Sequence, residues 1–238
     1  MISTLDHDPV FTSGPATTSP SCIVFDIETG PAPADELERH LPEIEAPANY
    51  KDTAKIEAYK QEQREKFLHR APLSALTGRV LAIGLWSDGE YRAHICGDHG
   101  DAEAACIRWF WNHVGRQTIL IGFNSNRFDL PFLYRRSWAL GIPVPPQRVE
   151  PNGRLNDRLH HDLMEMWQLG DRQNFISLAA LSKYLGTGGK SGEGDLFHQI
   201  LRAFPEEAEA YLKNDVRLTF ELAKRMHLLH PEIEFEEK

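Results

Sequence analysis

The sequence predicts an α/β fold: a mixed five-stranded sheet, three strands antiparallel and the rest parallel, flanked by helices. Three observations carry that expectation. Cys22 to Glu28 (Cys-Ile-Val-Phe-Asp-Ile-Glu) is a strand whose two faces are both largely apolar, the pattern of a strand covered on each side. Four more short segments read as strands along the rest of the chain. Helix-period segments are interspersed with them, and the clearest runs from about Pro205 to Leu229.

The elements follow in order. Residues 1–20 are rich in Ser, Thr, Pro and Gly, which reads as a disordered tail. After the first strand and the Gly30-Pro31 break, residues 34–70 are crowded with Glu, Lys, Gln and Arg. They are expected to form one or two helices interrupted near Pro47, as a charged helical insertion. Arg79 to Trp86 is the second strand, and Tyr91 to Cys96 pairs with it after the Asp88-Gly89 turn. Ala102 to Val114 is a helix whose Trp109, Phe110 and Trp111 read as core. Thr118 to Phe123 is the fourth strand, Asn124 to Arg127 a turn, and a helix runs from Asp129 to Gly141. Asp129, two residues before Pro131, is an N-cap candidate. A strand with Asp162 completes the sheet. Ile176 to Leu185 is a helix, and residues 231–238 form an acidic tail after a domain spanning 21–230.

Composition narrows the function classes. Forty-one per cent hydrophobic residues suffice for a core. Cys22, Cys96 and Cys106 show no disulfide or metal spacing, which fits a reducing, cytoplasmic setting. Residues 1–19 lack the basic start and apolar core of a signal peptide, and no apolar run approaches the ~20 residues of a membrane span. The net charge of −9 weighs against general nucleic-acid binding. Six arginines at 127, 135, 136, 148, 154 and 158 face only Asp129, Glu150 and Asp157 in that stretch, a local basic excess that can line a strand path.

Three segments carry carboxylates in telling places. Asp26 and Glu28 share one face of the first strand near its C-terminal end, so they repel, and burial disfavours the charge of each. A shared proton or divalent cations would relieve this; an all-carboxylate site favours Mg²⁺ or Mn²⁺ over zinc. Alone, the pair reads more readily as an acidic strand end facing solvent. Asp129 at a helix start can cap the helix or hold a metal. Tyr211 and Asp215, four apart in the last helix, stack beside the stripe of Leu212, Val216, Thr219, Ala223 and Met226. There the tyrosine hydroxyl could orient a water against whatever the carboxylate binds. Gly186-Thr-Gly-Gly-Lys-Ser is no phosphate loop, because Tyr184 stands where the pattern needs glycine and a helix precedes it. A flexible loop with Lys190 near phosphate is the reading retained. His160 and His161 lack a Cys-His framework for zinc.

Taken together, Asp26-Ile-Glu28-Thr29, Asn124 with Phe128-Asp129 and Pro131, and Tyr211 with Asp215 resemble the DEDD superfamily of 3′→5′ exonucleases. That superfamily has a ribonuclease H-like fold. Tyrosine at 211, with Ala210 where the other branch has histidine, is similar to the tyrosine branch. Within it, the motifs are closest to proofreading exonucleases of B-family DNA polymerases and their stand-alone bacterial and viral counterparts. The resemblance implies catalytic Asp26, Glu28, Asp129, Tyr211 and Asp215, the four acids holding two divalent cations, Mg²⁺ or Mn²⁺. It implies substrate contacts near Thr29, Asn124, Phe128 and Lys190, and a place near the site for His161-Asp162, in a supporting or structural role. The implied partner is the 3′ end of single-stranded DNA, shortened to nucleoside 5′-monophosphates. An exoribonuclease is the rival enzyme. A catalytically idle nucleic-acid-binding module is the rival of another class, and the presence of all five residues weighs against it. A protein partner is possible but not indicated.

Overall fold

A computed structural model describes residues 21–96, 101–145, 148–150, 153–171, 173–189 and 197–235. Five strands form one sheet in the order β3-β2-β1-β4-β5: β1 (Cys22–Pro31), β2 (Gly78–Ser87), β3 (Glu90–Ile95), β4 (Ile119–Gly122) and β5 (His160–Asp162). The first three are antiparallel neighbours, and β4 and β5 join parallel to β1, as the sequence predicts. Asp88 and Gly89 both take positive φ, 52° and 85°, which is the hairpin turn whose twist suits two antiparallel strands.

The helices among the described residues are α1 (Ala34–His40), α2 (Thr53–Arg70), α3 (Ala102–His113), α4 (Asp129–Ala139), α5 (Leu163–Gln168), α6 (Leu178–Leu185), α7 (Phe197–Ala203) and α8 (Pro205–Arg225). A short 3-10 turn, Ala71–Leu73, follows α2. The alternation in β1 divides them between two layers. Ile23, Phe25 and Ile27 pack with Ile107 and Phe110 of α3 and Leu130 and Leu133 of α4. Val24, on the opposite face, packs with Leu181 of α6 and Val216 and Phe220 of α8. Phe110 and Trp111 are buried and half-buried Trp109 packs against the same cluster, so the aromatic run belongs to the core.

Helix α8 begins with Pro205, Glu206 and Glu207 and ends with Lys224 and Arg225, charges that suit the two ends of the helix dipole. It stops at Arg225, four residues short of the sequence expectation. Leu228 and Leu229 instead turn back onto the core through a Leu228 N–H to Ala223 carbonyl bond of 2.9 Å. Ile233 and Phe235, within the acidic tail, also pack there, Phe235 lying 5.4 Å from Phe220 between ring centroids. The close seating of α8 on the sheet depends on Gly84. A Cβ there would come within 2.9 Å of Val216 and 3.0 Å of Leu212. Gly84 is also the β2 partner of Asp26, so the glycine brings α8 down beside the carboxylate strand.

The insertion is mostly solvated. None of the residues of α2 is fully buried, and Phe67 anchors it against a small cluster of Ala32, Leu37 and Ala71. Two expectations need correction. Asp129 is the first residue of α4 rather than its cap. The cap position belongs to Phe128. Arg148 is not on a basic strand path: it is fully buried, and its guanidinium donates to the carbonyls of Gly115, Thr118 and Leu159 at 2.9, 2.5 and 3.3 Å. Nor is Arg136 available, because Glu103 binds it through two short bonds. No helix among the described residues is long and apolar enough to cross a membrane.

Candidate active site

Midway along β1, where α8 crosses it, Asp26, Glu28 and Asp215 converge. One ligand oxygen from each lies within 4.8 Å of the others, and Glu28 and Asp215 are buried. The period of two in β1 puts the first pair on the face that α8 covers, and Tyr211, one helical turn before Asp215, enters the same cavity. The cavity, of about 420 Å³, is also lined by Asp129, Thr29, Asn124 and Phe128. Lys190 lies outside the described residues.

Each side chain is held by something local. Asp129 Oδ1 accepts the backbone N–H of Ile27 at 3.2 Å, tying the start of α4 to the strand between Asp26 and Glu28. Asp129 sits outside the tight group of three acids but opens on the same cavity. Thr29 Oγ1 donates to the carbonyl of Pro72 at 2.8 Å, so toward a ligand its oxygen can act only as an acceptor. Asn124 takes φ of +59°, a conformation asparagine tolerates, at the turn after β4. Asp162 fixes that turn: its carboxylate accepts the N–H groups of Asn124 and Asn126 at 2.9 Å each, and also those of Met164 and Glu165 at the start of α5. It is thus a support for the cavity wall rather than a part of it.

Burial and mutual repulsion set the protonation of the site. Burial, with Asp162 nearby, pushes the Asp129 carboxyl up to about 7 against hydrogen bonds from its own backbone and from that of Ile27. The Tyr211 hydroxyl is raised well above the ordinary phenol range by burial and by Asp215, Glu28 and Asp26, so it stays protonated and can donate but not act as a base. No lysine or arginine lines the cavity among the described residues; its one basic side chain is His69. Clustered carboxylates are a donor set for hard divalent cations, which prefer carboxylate oxygen.

Other cavity residues were not legible in the sequence. His69 comes from the end of the insertion, Pro72 and Leu73 from the short turn after it, and Phe175, Ser177 and Leu178 from the entry to α6. Leu73 and Phe175 are both mostly exposed at 60% and 67%, so no core pattern marked them.

A family model described as a predicted 3′-5′ exonuclease related to the exonuclease domain of PolB matches residues 73–238. The chain belongs to this family. It is a 3′→5′ exonuclease related to the PolB exonuclease domain, with the α/β sheet of a ribonuclease H-like fold. Asp129, Tyr211 and Asp215 fall inside the matched stretch, and Asp26 and Glu28 precede it. Among similar proteins, DNA polymerase 1 of Pyrococcus abyssi is 31% identical over 122 residues, 44% of this chain and 16% of that protein. DNA polymerase 1 of Aeropyrum pernix is 26% identical over 133 residues, 51% of this chain and 14% of its own length. The chain therefore spans about a sixth of the length of these curated relatives. The solved family B DNA polymerase of Pyrobaculum calidifontis superposes with a TM-score of 0.56 at 18% identity, over 90% of this chain and 25% of that one. Exonuclease domains of this type use divalent metals, and their substrate is nucleic acid.

Proposed function

We propose that this exonuclease removes nucleotides from the 3′ end of single-stranded DNA, releasing nucleoside 5′-monophosphates. We assign two divalent cations, Mg²⁺ or Mn²⁺, to Asp26, Glu28, Asp129 and Asp215. The observation that carries this reading is the convergence of Asp26, Glu28 and Asp215 within 4.8 Å, in a cavity that also holds Asp129 and Tyr211. Divalent ions in such a site lower the pKa of bound water and stabilise both the attacking and the leaving oxygen of an in-line displacement.

The chain's own groups do the rest. Tyr211, protonated and one turn from Asp215, donates its hydroxyl proton to hold a water in line with the terminal phosphodiester. Thr29 accepts from the terminal 3′-hydroxyl, since its own proton is committed to Pro72. Asn124 offers its side-chain amide from the fixed turn. Phe128 gives the terminal base an apolar wall and excludes water from it. The names of the matched relatives, all DNA polymerases, favour DNA over RNA.

The test uses 5′-labelled single-stranded DNA and RNA of one sequence, with Mg²⁺, with Mn²⁺ and with chelator. The expected result is a metal-dependent ladder shortening from the 3′ end, stronger on DNA. A stronger RNA ladder would make the protein an exoribonuclease with the same site. No cleavage with either metal would leave a binding module.

A further inference from the structure

A second depression, of about 580 Å³, lies on the other side of the turn that walls the active cavity. Resting on the reading above, we propose that this groove binds the single strand upstream of the 3′ end being cut. One of its bases would stack on Trp138, and its phosphates would meet Arg135.

The two depressions share a wall. Asn124, Phe128 and Asp129 face the cavity, whereas Asn126 and Pro131, from the same turn and helix start, face the groove. From there the floor follows one face of α4: Pro131, Tyr134, Arg135 and Trp138 stand three or four residues apart. Trp138 lies nine positions after Asp129, about 14 Å along the helix axis, so the groove leads away from the chemistry rather than duplicating it.

The groove has the chemistry of a single-strand path. Trp138 is 61% exposed, with one side of its ring near Tyr134 at 6.1 Å between centroids. A tryptophan presented in this way is a stacking platform for any base. Of the arginines concentrated between 127 and 158, Arg136 and Arg148 are consumed inside the fold, but Arg135 is exposed and lines the groove. Two acids line it as well. Glu165 is engaged by Arg127 at 3.5 Å and by the side-chain amide of Asn126 at 2.9 Å, which leaves Asp157 as the acid a phosphate chain must avoid. An acidic protein of net charge −9 thereby gains a local contact for an anionic strand without general basicity.

The test measures anisotropy of fluorescein-labelled dT3 and dT15 in chelator, with the full chain. Trp138→Ala should lower the ratio of dT15 to dT3 affinity about tenfold, and Trp138→Phe should restore most of it. Arg135→Ala should flatten the salt dependence of dT15 binding by about one unit of log–log slope. Equal affinity ratios in wild type and Trp138→Ala would overturn the groove, as would wild type binding dT15 no more tightly than dT3. A parallel Mn²⁺ digest separates the two readings. If wild-type protein shortens dT15 while Trp138→Ala keeps the wild-type ratio, the groove alone falls; if wild type shortens neither oligonucleotide, the single-stranded DNA reading falls and takes the groove with it.

Discussion

Glu103 and the cavity carboxylates are all acids placed against the same sheet, and the fold treats them in opposite ways. Glu103, on α3, is buried beside β2, where Oε1 accepts from Val80 N–H at 2.9 Å and both its oxygens are bound by Arg136, at 2.8 and 2.6 Å. The salt bridge is nearly enclosed, with the two side chains 13% and 10% exposed. Asp26, Glu28 and Asp215 crowd together in a cavity that no lysine or arginine lines among the described residues. An acid that serves the fold brings its counter-charge with it. The cavity acids instead line an open space that a cation from outside the chain can enter.

The sharpest way to break this contrast is to remove one acid of the cluster. Asp26→Ala or Asp215→Asn should reduce 3′→5′ cleavage at least about a thousandfold, since several kcal/mol of charge stabilisation depends on the bound cations. The melting temperature of the metal-free protein should not fall in Asp215→Asn, because repulsion is relieved. Retained turnover in either variant would remove that acid from the site. Arg136→Ala should do the reverse. It strands Glu103 as a buried charge and should cost about 3–5 kcal/mol in denaturant unfolding. A loss below 1 kcal/mol would show that water reaches Glu103 freely.

Metal addition sharpens the same comparison from the other side. Saturating Mn²⁺, at about a hundred times its dissociation constant, should stabilise wild type by about 2.7 kcal/mol in thermal or denaturant melts. Arg136→Ala should gain the same increment and Asp215→Asn little of it. An equal gain in all three would place the ion elsewhere.

The buried contact of Arg148 with His160 offers a pH counterpart. His160 is almost fully buried near Arg148, and burial followed by that guanidinium lowers its pKa to about 3. Below its ordinary value near 6.5 the unfolded chain takes up a proton that the folded chain refuses. Its neutral state therefore costs nothing above pH 6.5, and stability is lost as the pH falls from 6.5 toward 3. Between pH 6.5 and 5 this amounts to about 2 kcal/mol. His160→Gln, which cannot take up that proton, should show a flatter acid limb in urea titrations across that window. Parallel limbs would mean that His160 titrates alike in both states. The smallest effect belongs to Tyr211→Phe. Losing a positioning hydrogen bond but no ligand should slow turnover about five- to tenfold, with metal-induced stabilisation intact.

Much of the fold was readable because it rests on local patterns. Both faces of β1 are apolar because helices cover both, and Asp88-Gly89 marks the β2–β3 hairpin by the positive φ it must adopt. The carboxylate spacing in β1 and α8 was equally local, since Asp26 and Glu28 share a face by the strand period and Tyr211 and Asp215 by the helical turn. Asp129 was harder. Its residue type suits a helix start, but its bond to Ile27 N–H spans 102 positions and has no signature near it. Arg148 illustrates the same limit: an arginine in a basic stretch looks solvated until three carbonyls, two of them from the segment before β4, close around it.

By itself, then, the sequence determined the strands, the main helices and which acids could share a face, because those properties repeat every two or four residues. The tertiary structure decided which of them meet. Gly84 lets α8 lie close enough to bring Asp215 to Asp26 and Glu28. The end of a solvated insertion and the short turn after it supply His69, Pro72 and Leu73 to the cavity. Exposed Trp138 and Arg135 align along α4 beside it. Such meetings depend on packing between segments far apart in the chain, where no local pattern records the partner.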